Sequence, residues 1–292
     1  MLSAVVLGLA YASAYSLLAV AVVLVYSGTK VLSLALGEIG AFGLYAGLRW
    51  HTRGFLGVHP SVLVSALIAV VIGGVLGLVV ERLVMRPLLG RPVRDSLVAT
   101  LAVALFLALL ELKLYGLDPV AAPSPVGAGS IEVGGTTLTV TQMTLLALAA
   151  LVSTGLYLFL TRTPFGLATR ATTSDPTVAR LLGVKVNRVY VFAWGVAGLL
   201  SGAAAALLAP LVGSLTPFAL TAALLSALAG AVIGGLDSLG GALLGSLAVG
   251  MVSGIVSARV DPTTSAGIVF AAVLVTLLVR PRGLLGSERV VA

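Results

Sequence analysis

An all-α, polytopic integral membrane protein is the fold this sequence predicts, and three observations predict it. Of its 292 residues, 59% are hydrophobic and only 9% are charged, whereas soluble chains run about 45–50% apolar and about 25% charged. The apolar residues gather into runs of about 20, the length a helix needs to cross a bilayer core. The basic residues fall mostly on alternate loops between those runs. A compact soluble fold has no outer shell able to hide so much apolar surface. Soluble enzymes, nucleic-acid binders and disordered chains are therefore excluded.

The expected spans, in order, are 2–26, 32–48, 60–81, 96–115, 142–161, 189–209, 218–236, 239–258 and 264–279. The first has no Lys or Arg ahead of it and exceeds a signal-peptide core, so it reads as a retained helix. The second is short, and only Leu236-Asp237-Ser238-Leu239 separates the seventh from the eighth. Either region suits a broken or re-entrant helix, which gives eight or nine segments in a single transmembrane domain, 1–292. Cysteine is absent, so the redox compartment is not legible.

Charge sets the orientation. Lys30 lies in one short loop, and Arg82, Arg86, Arg91 and Arg94 in another. Arg162, Arg170, Arg180, Lys185 and Arg188 share a third, and the tail carries Arg280, Arg282 and Arg289. These are 13 of the 17 basic residues. The positive-inside rule makes those loops cytoplasmic, with the N-terminus outside and the C-terminus inside. It also explains the net charge of +7 without nucleic acid; Arg49 and Arg53 are the main exceptions. The outer loop 116–141 holds two β-prone runs around Gly134-Gly135, which suit a small hairpin.

Small residues recur four apart in several spans: Gly8, Ala12 and Ser16, then Gly73 and Gly77. Gly241 and Gly245, followed by Gly250, Gly254 and Ala258, do so in the eighth. Such stripes let backbones approach closely in lipid, and they suit either tight packing or a pathway that opens and shuts. Ionisable residues inside spans are expensive and therefore informative. Glu38 follows Gly37 near the cytoplasmic start of the second span, and is a candidate for structure, gating or substrate contact. Asp237 sits in Gly234-Gly235-Leu236-Asp237-Ser238-Leu239-Gly240-Gly241. That glycine-rich turn is either a broken-helix site of the transporter kind or a plain N-cap by Asp237 or Ser238. Glu111 and Lys113 are expected to reach the membrane interface without a special role.

No G-x-x-x-x-G-K-[ST] phosphate loop and no G-x-S-x-G elbow occurs, and the two histidines, His51 and His59, match no zinc helix. No catalytic and no metal-binding residue is assigned. A conduit remains, driven by ions or by a partner.

The segment 162–188 distinguishes these. Asp175 is a good N-cap, and Pro176 suits the first helical position. Val178, Ala179, Leu181 and Leu182 supply apolar contacts, and Gly183 can end the helix in a left-handed conformation. Two turns are unstable alone in water, so the helix must pack on its own membrane domain, on a partner, or on both. An ion-coupled secondary transporter has no need of such a docking helix, nor has a membrane scaffold.

This loop resembles the R-A-T-x-x-D-P-x-x-A-R-L-L-G-[IV] pattern of permease subunits of branched-chain amino acid (Liv-type) ABC importers. The matching residues are Arg170-Ala171-Thr172, Asp175-Pro176 and Ala179-Arg180-Leu181-Leu182-Gly183-Val184. Glu81-Arg82-Leu83-Val84-Met85-Arg86-Pro87-Leu88, the Gly234–Gly241 turn and Pro281-Arg282-Gly283-Leu284-Leu285-Gly286 resemble further motifs of that family, in order. The chain departs from it at Ser33-Leu34-Ala35-Leu36-Gly37-Glu38, where the family has N-F-A-H-G-E, at Asp237 for Gly, and at Ser174 and Thr177 for carboxylates. The resemblance implies that Asp175, Pro176, Ala179, Arg180, Leu181, Leu182 and Gly183 couple the chain to a cytoplasmic ABC ATPase. Gly37, Glu38, Gly234, Gly235, Asp237, Ser238 and Gly240 would line or gate the pathway. It further implies a second homologous permease subunit, an extracytoplasmic solute-binding protein, a lipid-embedded bacterial or archaeal inner-membrane location, and no cofactor in this chain, ATP being hydrolysed by the partner. Urea and short-chain amide importers share the fold that the resemblance implies, and remain the alternative substrate class.

Overall fold

The computed structural model describes residues 2–54, 59–124, 129–133, 136–236, 238–257 and 262–279. In chain order the helices are α1 (Leu2–Thr29), α2 (Leu36–Arg53), α3 (Val62–Val80), α4 (Val93–Tyr115), α5 (Val140–Arg162), α6 (Pro164–Ser174), α7 (Pro176–Leu181), α8 (Val186–Val212), α9 (Ala219–Gly234), α10 (Leu239–Ser257) and α11 (Pro262–Val279). Four short strands, β1 (Val120–Ala121), β2 (Ser130–Val133), β3 (Thr136–Thr139) and β4 (Ser214–Leu215), accompany these helices. The all-α membrane class holds.

Each expected span coincides with a helix, α1 to α5 and α8 to α11. Among the described residues, six helices are long and apolar enough to cross a membrane. α2 carries Glu38, Arg49 and Arg53, and α9 has only 16 residues, about 24 Å of rise against a core of about 30 Å. α2 begins at Leu36 rather than 32 because residues 31–35 run non-helically through the protein interior, where Ser33 and Ala35 have no exposure. There Leu34 N–H donates to Thr100 Oγ1 on α4 at 3.4 Å. α3 is prolonged by a π-turn, Glu81–Met85, and a 3₁₀ turn, Arg86–Leu88. Pro87 cannot continue the α-helical hydrogen-bond ladder, so the tighter turn closes the span there.

α1 and α8 form the centre, with 78% and 67% of their apolar windows buried, against 7% for α5. α1 packs on α10, α8, α5 and α9; α8 packs on α3 and α2; α4 rests on α2, and α11 on α10 and α9. The stripes foreseen in the first and eighth spans meet each other. A Cβ on Gly250 would meet the Ala12 backbone, and one on Gly254 the Gly8 backbone. Gly73 and Gly77 of α3 likewise abut Gly198 and Trp194 of α8. These faces are closed helix contacts, which is how helices associate without a hydrophobic drive. α2 carries a further stripe, Gly40, Gly43 and Gly47, laid against Ser201 of α8 and against Ala69 and Ser65 of α3.

β1 pairs antiparallel with β4, Val120 opposite Leu215, tying the end of α4 to the α8–α9 connection. β2 and β3 pair as the expected hairpin strands, Ser130 opposite Thr139 and Val133 opposite Thr136. The Gly134-Gly135 turn, Asp237, Ala258 and the basic tail from Arg280 lie outside the described residues.

Candidate functional site

α7 is built as its sequence dictates. Asp175 Oδ1 accepts from Thr177 N–H at 2.7 Å and Val178 N–H at 3.0 Å, and Pro176 occupies the first turn. At the other end Val184 N–H donates to Ala179 O and Gly183 N–H to Arg180 O, with Gly183 at φ +83°. That is the Schellman closure, and only glycine adopts its left-handed residue without strain. Of the four expected apolar contacts, Ala179 alone turns inward, against Val186 and Tyr190 at the start of α8. Leu181 and Leu182 project outward, 83% and 76% exposed, with Val178 beside them. Arg180 is exposed as well.

α6 was not foreseen as a separate helix, although Thr163-Pro164 repeats the signal of Asp175-Pro176: the Thr163 hydroxyl oxygen accepts from Gly166 N–H at 3.2 Å. Phe159 of α5, Phe165 of α6 and Phe192 of α8 form an aromatic clamp, with centroids 4.5 to 6.0 Å apart. The Thr173 hydroxyl donates to the Ser27 carbonyl near the end of α1. The α5–α8 connection is thus fastened to both central helices, to α8 through Ala179 and to α1 through Thr173.

The pathway candidates separate into three places. Gly37 packs closely against Leu220 and Leu224 of α9, and buried Glu38 accepts on Oε1 from the Thr221 hydroxyl while Oε2 has no partner among the described residues. Gly234 and Gly235 build the α9–α10 turn: Gly234 abuts the Gly241 backbone, and Gly235 sits at φ +110°. Ser238 and Gly240 line a cavity of about 600 Å³ bounded by α1, α5, α6 and α10. A second cavity of about 440 Å³ between α1, α5 and α10 shares Tyr157 and Gly240 with it. Among the described residues, no three metal-ligating side chains come together.

Residues 4–278 match the family described as branched-chain amino acid transport system / permease component. The chain belongs to this family. Among its curated relatives are the high-affinity branched-chain amino acid transport system permease proteins BraD of Pseudomonas aeruginosa and LivH of Salmonella typhimurium and Escherichia coli K12. BraD is 27% identical over 72% of this chain and 71% of its own length. Each LivH is 27% identical over 97% of this chain and 94% of its own length. The chain is a multi-pass permease, a transport component rather than an enzyme.

One expectation about this permease needs correction. Glu111 does not reach an interface: it has no exposure, and neither carboxylate oxygen has a partner among the described residues. The reason is placement. Thr100, Ala104, Leu107, Ala108 and Glu111 form the single buried stripe of α4, and that stripe faces α2. Lys113, by contrast, is exposed. From α2, Tyr45 stacks on Tyr115 at 5.2 Å, and Arg49 donates to the Tyr115 carbonyl at 2.5 Å. Glu38, Tyr45 and Arg49 stand at i, i+7 and i+11 of one helix, a helical period that marks a common face. An unpaired buried carboxylate is costly when charged. The isosteric Glu111→Gln should therefore hold or raise the melting temperature in detergent, whereas Glu111→Lys should leave little folded protein; a fluorescence-detected thermal melt reads both.

Proposed function

We propose that this permease is the membrane-spanning subunit of an ATP-driven importer that translocates branched-chain or other apolar amino acids. The observation that carries the reading is α7, a six-residue helix capped at both ends that turns Leu181 and Leu182 outward. A helix this short cannot persist alone, and two leucines held out of their own fold are suited to a cleft in a partner. The partner is a cytoplasmic ABC ATPase, and this chain supplies no ATP site of its own. A second homologous permease completes the membrane domain, and an extracytoplasmic solute-binding protein delivers the substrate. The relatives, named for branched-chain amino acid transport, support that substrate class.

In this reading the α5–α8 connection faces the cytoplasm of a bacterial or archaeal cell, the N-terminus lies outside and the membrane is the inner one, as the basic loops favour. ATP-driven closure of the ATPases pushes α7. Ala179 passes the displacement to α8, and α6, through Thr173, passes it to α1. Because those two helices form the centre of the bundle, moving their ends tilts everything packed on them. Gly37, Glu38 and the Gly234–Gly240 turn stand where such a tilt is felt.

Purifying the chain from its native membrane in mild detergent tests the assembly. A P-loop ATPase and a second permease should co-purify, and the reconstituted complex should take up leucine with ATP in the presence of its binding protein. A chain that emerges alone, from detergent that preserves a control ABC complex, would overturn coupling through α7 and favour ion-driven transport. Uptake of urea or short-chain amides in place of leucine would overturn the substrate assignment alone.

A further inference from the structure

We infer that a groove on the exposed face of the α3–α8 pair binds one anionic phospholipid, drawn from the leaflet on the side of the α5–α8 connection. The inference needs the membrane-spanning fold but not the ATP-driven reading. A phospholipid needs a polar corner for its phosphate at the membrane edge and an apolar channel for an acyl chain below it. This groove, of about 530 Å³, offers both in that order.

The polar end is made by Arg86, on the 3₁₀ turn that closes the third span, and by Asn187 and Arg188 in the first turn of α8. Gly73 abuts Gly198 while Gly77 abuts Trp194, so α3 and α8 run antiparallel, and the end of one shares a membrane edge with the start of the other. Among the described residues the lining holds no carboxylate, and neither arginine forms an ion pair. Buried Glu81 borders a separate cavity of about 70 Å³ that Arg86 also reaches, and not the groove. Glu81 offsets part of the charge of Arg86, and exposed Arg188 supplies the rest of the corner. An arginine fork pairs bidentately with phosphate oxygens, and the Asn187 amide adds donors. A choline or ethanolamine phosphate brings its own cation, so the corner selects a headgroup that is anionic as a whole.

From Arg188 to Leu199 α8 rises about 16 Å, about half of a hydrocarbon core of about 30 Å. The groove is therefore one leaflet deep. Its walls are apolar: Leu78, Val191, Phe192, Val196 and Leu199. Gly195 lies in the floor, where a Cβ would meet the Leu78 side chain at 3.0 Å and fill the channel. Charge confined to one end of an apolar channel fits a lipid, whereas a soluble anion has no use for the wall. A two-fold contact with a second copy centred here would bring the arginines of both copies together. Phe192 also belongs to the aromatic clamp, so a lipid in the groove braces α3 and α8 beside the α5–α8 connection.

The test is native mass spectrometry of the full-length chain released from nanodiscs that hold equal amounts of phosphatidylglycerol and phosphatidylcholine with identical acyl chains. One phosphatidylglycerol should stay bound, favoured over phosphatidylcholine by about tenfold or more. Losing one basic residue beside an anionic headgroup weakens the attraction by about fivefold. Arg188→Gln should cut the preference by that factor, and adding Arg86→Gln should abolish it. Arg188→Lys, which keeps the charge, should retain most of it. Arg162→Gln removes an exposed charge from the same connection but outside the groove, and should change nothing. Arg86 stands near buried Glu81, so if the double variant does not fold, Arg188→Gln alone decides. Glycerol phosphate, a headgroup without acyl chains, should not displace the lipid. Equal retention of the two lipids, or a preference unchanged by Arg188→Gln, overturns the site. Displacement by glycerol phosphate overturns the lipid in favour of a soluble phosphate. A dimer free of phosphatidylglycerol, dissociated by Val191→Asp, overturns it in favour of a second copy seated on the groove.

Discussion

Leu181→Asp combined with Leu182→Asp should reduce ATP-driven uptake by about a hundredfold or more while the chain still folds. The two leucines are 83% and 76% exposed in the chain by itself, so the substitutions remove nothing from its own core. Burying a leucine in a partner contributes about 1.5–3 kcal/mol. Two such losses, with two carboxylates to desolvate, exceed the 1.36 kcal/mol that corresponds to each tenfold. Arg180→Glu should act in the same direction through the exposed face. Asp175→Ala should act more mildly, since losing an N-cap costs about 1 kcal/mol. Uptake in proteoliposomes, ATPase stimulation and a size-exclusion profile separate uncoupling from misfolding. Undiminished uptake in the double Asp variant would remove α7 from the mechanism.

The largest loss of stability should come from the α1–α10 crossing. Gly250→Val places its first side-chain carbon on the backbone of Ala12, where no flexible side chain can yield. The helices must part, and with them the contact that holds α1 in the centre. Overpacking of this kind costs typically about 1–3 kcal/mol, and more where backbone must move. We expect Gly250→Val to lower the melting temperature by about 10 °C or to prevent recovery of monodisperse protein. Gly155 on α5 is the control. A Cβ there meets nothing within 4 Å, and removing a glycine from a helix interior gains about 0.5–1 kcal/mol. Gly155→Ala should hold or raise the melting temperature. Equal effects at the two positions would show that helix propensity, not close approach, governs both.

Much of this was legible in the residues because it is local. The spans follow from apolar runs whose length the bilayer sets. The caps of α7 follow from Asp175-Pro176 and Gly183, each satisfying backbone groups within four residues of itself. The glycine stripes announced close crossings, since small residues at four-residue spacing share a face whatever lies opposite. α6 was written just as locally in Thr163-Pro164, and was missed because the stronger signal of α7 follows it. The late start of α2 was not legible: residues 31–35 are kept from the helix by burial and by the Thr100 side chain, 66 residues away.

The sequence by itself determined that this is a helical, multi-pass membrane protein with a short capped helix between its fifth and sixth expected spans, because those features depend on periodicity, length and neighbouring residues. Tertiary structure alone decided which stripes meet, and it placed Glu111 in the interior: near the end of a span a carboxylate looks interfacial until α4 is laid on α2. It likewise gathered Leu24, Leu160, Thr169 and Leu239 around one cavity. Those residues come from different helices, and no spacing along one chain records the packing of four.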